Sequence, residues 1–135
     1  MEILGLFCNK ILWQVIIAWS AARFVRMALD KKVDWHVLLK TGGMPSAHAA
    51  AVASLAIGVG RKSGFTSSIF AITFVFAAVV LTDAATLRVQ VGKQASIINT
   101  SLRGKEKLKE SVGHSFWELL VGVVIGIACG YIIPM

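Results

Sequence analysis

Apolar residues fall into four blocks along the chain, separated by short polar stretches. The first block runs from about Ile11 to Leu29, with an early start at Ile3. The second begins at Ser46 and continues through an Ala-rich stretch to Gly60. The third spans Phe65 to about Leu87, and the fourth about Ser115 to Ile133. About 20 helical residues cross a bilayer, so the first, third and fourth blocks are long enough. The second is short, which leaves two readings: a span, or a re-entrant segment entered through the glycine turn before it. The pattern predicts an all-α, polytopic membrane bundle of about four transmembrane helices. Between the last two blocks, Leu102 to Val112 sets Leu102, Leu108 and Val112 among Lys and Glu. That spacing predicts a short amphipathic helix lying at the interface.

Composition supports a lipid solvent. The 135 residues are 56% hydrophobic, with a mean hydropathy of +0.74. That length suits one domain, residues 1–135, and a soluble domain of this size has too little interior for so much apolar surface, so the domain is expected to be membrane-embedded. The net charge is +7, which in a soluble protein would raise nucleic-acid binding. Here the basic residues flank apolar blocks, so membrane lipids are the expected partner and nucleic acid is not. Cys8 and Cys129 lie in apolar stretches without a C-x-x-C or His partner, so neither a disulfide nor a metal site is expected. The N-terminal apolar stretch has Glu2 ahead of it and its positive charges behind, the reverse of a signal peptide.

Charge also orients the bundle. Of fourteen Lys and Arg, eleven flank the two long connections: Arg23, Arg26, Lys31, Lys32, Lys40, Arg88, Lys93, Arg103, Lys105, Lys107 and Lys109. The remaining three are Lys10, Arg61 and Lys62. The positive-inside rule then puts those connections in the cytoplasm and both termini outside, in a cytoplasmic (inner) membrane. Gly122, Gly126 and Gly130 form one small-residue helix face, and Ala49, Ala53, Ala56 and Gly60 form another. Such faces let helices approach closely in lipid, within a chain or between two copies in a homodimer.

Three stretches carry chemistry. In Lys40-Thr-Gly-Gly-Met-Pro-Ser-Ala-His48, two glycines free the backbone to turn, and Pro45 suits the first turn of a helix. Ser46 then lies at a helix N-terminus, where anions bind well, with Lys40 and His48 nearby. The plainer reading is a glycine loop capped by Ser46. Asp83, near the end of the third block, precedes Arg88 and Lys93. An ionisable group there marks a functional site, with Arg88 as a phosphate clamp oriented by Asp83, or else a structural ion pair. His114 and Glu118 are four apart, hence on one helix face if both are helical. The carboxylate would hold one ring nitrogen and leave the other nucleophilic. Alternatively the two form an interfacial pair. The four-span topology brings all three stretches to one side.

At these residues the chain resembles the divergent branch of the type 2 phosphatidic acid phosphatase superfamily, related to acid phosphatases and vanadium-dependent haloperoxidases. The likeness includes Asn9, Trp19, the block Thr41 to His48, Asp83, Arg88, Gly92 to Ala95, Asn99, and Gly113-His114 followed by Glu118. The superfamily's P-S-G-H motif is matched by Pro45-Ser46-Ala47-His48, with Ala for Gly. Of S-R-x5-H-x3-D, His114 matches the His and Glu118 replaces the Asp. The arginine six residues before that His is absent, since position 108 is Leu, and the K-x6-R-P motif is missing.

The resemblance implies a cofactor-free and metal-free phosphomonoester hydrolase acting on a lipid phosphate. His114 would form a phosphohistidine, Glu118 would orient it, and His48 would protonate the leaving alcohol. Lys40, Ser46, Arg88 and Lys93 would bind phosphate, and Asp83 would orient Arg88. Phosphatidylglycerophosphate or phosphatidate is the expected substrate class. Two other readings stay open: a polyprenyl phosphate or diphosphate phosphatase, and a non-catalytic lipid-binding, transport or assembly protein on a decayed scaffold.

Overall fold

A computed structural model describes residues 5, 7–30, 43–101, 107–110 and 112–134. Among the described residues five helices follow in order: α1 Lys10–Asp30, α2 Ala47–Ser63, α3 Ser68–Ala85, α4 Leu87–Ser101 and α5 Phe116–Ile132. Among the described residues there are no strands.

Local chemistry sets the helix ends. Ser46, Ser67 and Ser115 are the N-caps of α2, α3 and α5, each accepting a hydrogen bond from a first-turn amide. Gly64, at φ +89, ends α2 and donates its N–H to the Gly60 carbonyl. Arg61 caps α5 from a neighbouring helix, donating to the carbonyls of Gly130, Tyr131 and Ile133.

The short second block is the centre of the bundle. Ten residues of α2, mostly Ala and Gly, are buried. Its 17 residues rise about 26 Å, close to the apolar thickness of a bilayer. It runs parallel to α5 over that whole depth. Cβ atoms added to Gly122, Gly126 and Gly130 would meet Ser46 and Ala49, Ala50 and Ala53, and Ile57 respectively. The two small-residue faces therefore meet each other within one chain. Helix α1 runs antiparallel to α2: Gln14 Nε2 donates to the Ser54 carbonyl at 2.7 Å and to its hydroxyl at 3.2 Å, and Ala22 packs on Ala47 and Ala50. So α2 is a continuous span and not a re-entrant segment. Its modest hydropathy follows from its position, since almost none of it faces lipid.

The outer helices carry the opposite pattern. Ile69, Ile72, Phe74, Val75, Phe76 and Val79 of α3 are all exposed, as are Ile16, Ile17, Phe24 and Val25 of α1. Lys10–Leu29 and Ser68–Ser101 are long and apolar enough to cross a membrane, and Phe116–Ile132 is a shorter apolar helix. This is an all-α membrane bundle, with four helices crossing its depth.

The connection after the third block departs from expectation. A helix was expected over Leu102 to Val112, but the described residues 107–110 and 112 are not helical; residues 102–106 and 111 lie outside the described set. The stretch from Arg88, read as connection, instead belongs to helix α4, Leu87–Ser101, which follows α3 after a break at Thr86. Asn99 then pins the extended segment to α4. Its amide donates to the Leu108 carbonyl and to Glu110 Oε1, both at 2.8 Å, and its oxygen accepts from the Leu108 amide at 2.8 Å. Hydrogen bonds from Asn99 and Ser96 hold the Glu110 carboxyl below its ordinary pKa.

Candidate active site

The site forms where α2 and α5 begin and α3 ends. Ser46 joins two of these elements. Its amide donates to the Glu118 carbonyl at 3.0 Å, and its hydroxyl accepts from the Ala49 amide at 3.4 Å. The residue is fully buried. Ser46, expected to touch phosphate, joins the two helices through its amide and accepts at its hydroxyl from the first turn of α2. Pro45 was expected in the first turn; it lies one residue before the N-cap.

A second joint fixes α5 to α3. The His114 amide donates to the Ala84 carbonyl at 3.2 Å, and Leu119 packs on Ala49 and Ala84. Gly113 passes directly over Val89 of α4, where any Cβ would collide with the Val89 backbone. The Gly-His pair is thereby threaded between α3 and α4.

His114 and Glu118 do meet, with Nδ1 and Oε2 3.2 Å apart. The cause differs from the expected shared helix face. His114 lies outside α5, just before the N-cap Ser115, and Glu118 is the third residue of the helix. Glu118 folds back in a capping box, so that Oε2 accepts from the Ser115 amide at 2.9 Å and also faces the His114 ring. In the neutral tautomer that donates Nδ1–H to this carboxylate, Nε2 carries the free lone pair. The His114 side chain is only 6% exposed.

His114 and Glu118 line a cleft of about 470 Å³ together with Lys93, Ser96, Glu110 and Gly113. Lys93 thus meets the histidine in one cavity. Asp83 and Arg88 form an ion pair, with Oδ2 and Nε 2.9 Å apart and both side chains about one-third exposed. His48 is exposed in the first turn of α2. It is outside the walls of the cleft but within electrostatic reach of Arg88, His114 and Arg23. Lys40 lies outside the described residues. Among the described residues, no three His, Cys, Asp or Glu side chains converge as metal ligands.

Two members of this neighbourhood escaped the sequence reading. Arg23 and Arg26 were counted only as flanking charges. The available signal was their spacing with Trp19, which sets all three on one face of α1.

Comparison with known proteins agrees with this architecture. The family model described as "Divergent PAP2 family" matches residues 7–129. A Bacillus subtilis (strain 168) protein named "Uncharacterized membrane protein YuiD" is 34% identical, over 76% of this chain and 77% of its own length. No solved structure matches. The matched span takes in α1 to α4, most of α5 and both histidine motifs, and the chain belongs to the divergent PAP2 family of membrane proteins.

Proposed function

We propose that this protein hydrolyses a phosphomonoester of a membrane lipid through a phosphohistidine at His114, on the cytoplasmic face of the inner membrane. The observation that carries the reading is the 3.2 Å contact between His114 Nδ1 and Glu118 Oε2 in the wall of the 470 Å³ cleft. Lys93 in the same wall and the Asp83–Arg88 pair beside it supply positive charge for a phosphoryl group.

The chemistry runs in two steps. His114 Nε2 forms a bond to phosphorus as the bond to the lipid oxygen breaks. The departing oxygen takes its proton from His48. Water then gives a proton to His48 as it attacks phosphorus, the P–N bond breaks, inorganic phosphate leaves, and both histidines return to their starting states. Glu118 stabilises the ring as it gains positive character. Charge on the equatorial oxygens is met by Arg and Lys.

A lipid substrate is favoured by the surroundings. A hollow of about 650 Å³ along α3 is walled by Phe74, Val75, Val79 and Leu87 and reaches Asp83. Acyl chains entering there would bring a head group to the Asp83–Arg88 pair. The orientation rests on the eleven-to-three charge asymmetry.

Release of inorganic phosphate by the protein in detergent tests this, using phosphatidate, phosphatidylglycerophosphate and polyprenyl phosphates. Turnover of a glycerophospholipid above the others is expected. Leu108, where the superfamily pattern has arginine, favours a second reading as a non-catalytic lipid-binding protein. No release from any substrate, with lipid still bound, would establish that reading and overturn the first.

A further inference from the structure

Helix α1 ends in a pair of arginines that ordinary membrane anchoring does not explain. Trp19, Arg23 and Arg26 share one face. The Arg23 guanidinium carbon stands 4.4 Å from the centre of the Trp19 ring. A terminal arginine usually snorkels, carrying its guanidinium into water. Arg23 does the opposite with one nitrogen: Nη1 is buried and, among the described residues, has no hydrogen-bond partner. A buried cationic N–H without an acceptor is unfavourable unless something anionic completes it.

The surroundings add a second guanidinium. Arg26 lies within electrostatic reach of Arg23, so two like charges face each other at the membrane edge. The Arg26 guanidinium is packed on the backbone at Gly43, where an added Cβ would stand 2.8 Å from Cζ and Nη2. Any side chain at 43 would push it away. His48, in the first turn of α2, feels the charge of Arg23. The contact of Ala22 with Ala47 and Ala50 fixes α1 against the start of α2 and holds the arrangement together.

We infer that Arg23 and Arg26 form a phosphate seat beside His48, taking the place of the arginines that this sequence lacks at the superfamily positions. This rests on the lipid-phosphate reading above. Two planar guanidinium forks suit the tetrahedral oxygens of a phosphate group, whether on a lipid or free.

The test is binding, measured in the His114→Ala background so that hydrolysis cannot interfere. Phosphatidate in mixed micelles is titrated against phosphatidylcholine micelles, and inorganic phosphate is titrated separately. Arg23→Gln should weaken phosphatidate binding about tenfold or more, with Arg23→Lys in between and Lys62→Gln, at the opposite end of α2, without effect. Should Arg23→Gln fail to fold, Trp19 reports on the native arginine. With Trp13, Trp35 and Trp117 changed to Phe, either phosphate source should shift Trp19 emission saturably. A shift with inorganic phosphate as well as phosphatidate assigns recognition to the phosphate alone; a shift with phosphatidate only assigns it to the head group at the membrane. Unchanged affinity in Arg23→Gln, or a Trp19 signal identical with phosphatidylcholine, would overturn the seat. Loss of wild-type turnover with this binding intact would instead count against the hydrolase reading and leave the seat standing.

Discussion

The Ser46 amide donates a hydrogen bond to the carbonyl of Glu118 at 3.0 Å. Through this bond the start of α2, which carries His48, is tied to the helix whose first turn orients His114. The relative placement of the two histidines is therefore set by backbone, and it depends on how closely α2 and α5 approach.

That approach is provided by Gly122 and Gly126. Gly126→Val would drive a side chain into the Ala50 carbonyl and against the Ala53 Cβ. Overpacking of this kind costs about 1–3 kcal/mol. Thermal unfolding in detergent should show the loss, and turnover should fall with it because the α2–α5 joint shifts. An unchanged midpoint would mean that the two helices are less tightly apposed than described here.

Glu118 has two tasks on one oxygen, and they can be separated. Ser115→Ala removes the cap and should cost about 1 kcal/mol of stability while sparing most turnover. Glu118→Gln keeps an acceptor for the Ser115 amide but cannot stabilise a charged ring. It should reduce turnover on the order of a hundredfold or more with little change in stability. If the two variants lose activity equally, the carboxylate is only a cap.

Arg88 is held by Asp83 at 2.9 Å. Arg88→Lys keeps the charge but loses the planar fork, so lipid phosphate turnover should drop about tenfold. Asp83→Asn should give a smaller loss, because it frees the guanidinium without removing it. Wild-type turnover in Arg88→Lys would shift the clamp to Lys93, which shares the cleft with His114.

Much of this was legible from hydropathy and capping residues. The blocks at Ile11, Ser46, Phe65 and Ser115 became α1, α2, α3 and α5, since runs of apolar residues bounded by Ser or Gly leave little choice in lipid. Helix α4 was not legible. Gly92, Lys93, Gln94 and Asn99 read as loop composition, and their spacing acquires meaning only against the segment at Leu108 and Glu110, which Asn99 binds. The His114–Glu118 contact was anticipated from a four-residue spacing, although a capping box, not a shared helical face, produces it. For Arg23 only the spacing with Trp19 and Arg26 was legible; the burial of Nη1 is a tertiary property that no local pattern encodes.

The central claim is that phosphorus becomes bonded to His114. The most direct measurement is trapping of a phosphoenzyme with an aryl phosphate labelled in its phosphate group, whose good leaving group needs little help from His48. The wild type and His48→Ala should both carry label on His114, stable to base and lost in acid as a P–N bond requires. His114→Ala should carry none and should not turn over, while still binding lipid phosphate. Label on any other residue, or turnover by His114→Ala equal to that of the wild type, would contradict the account.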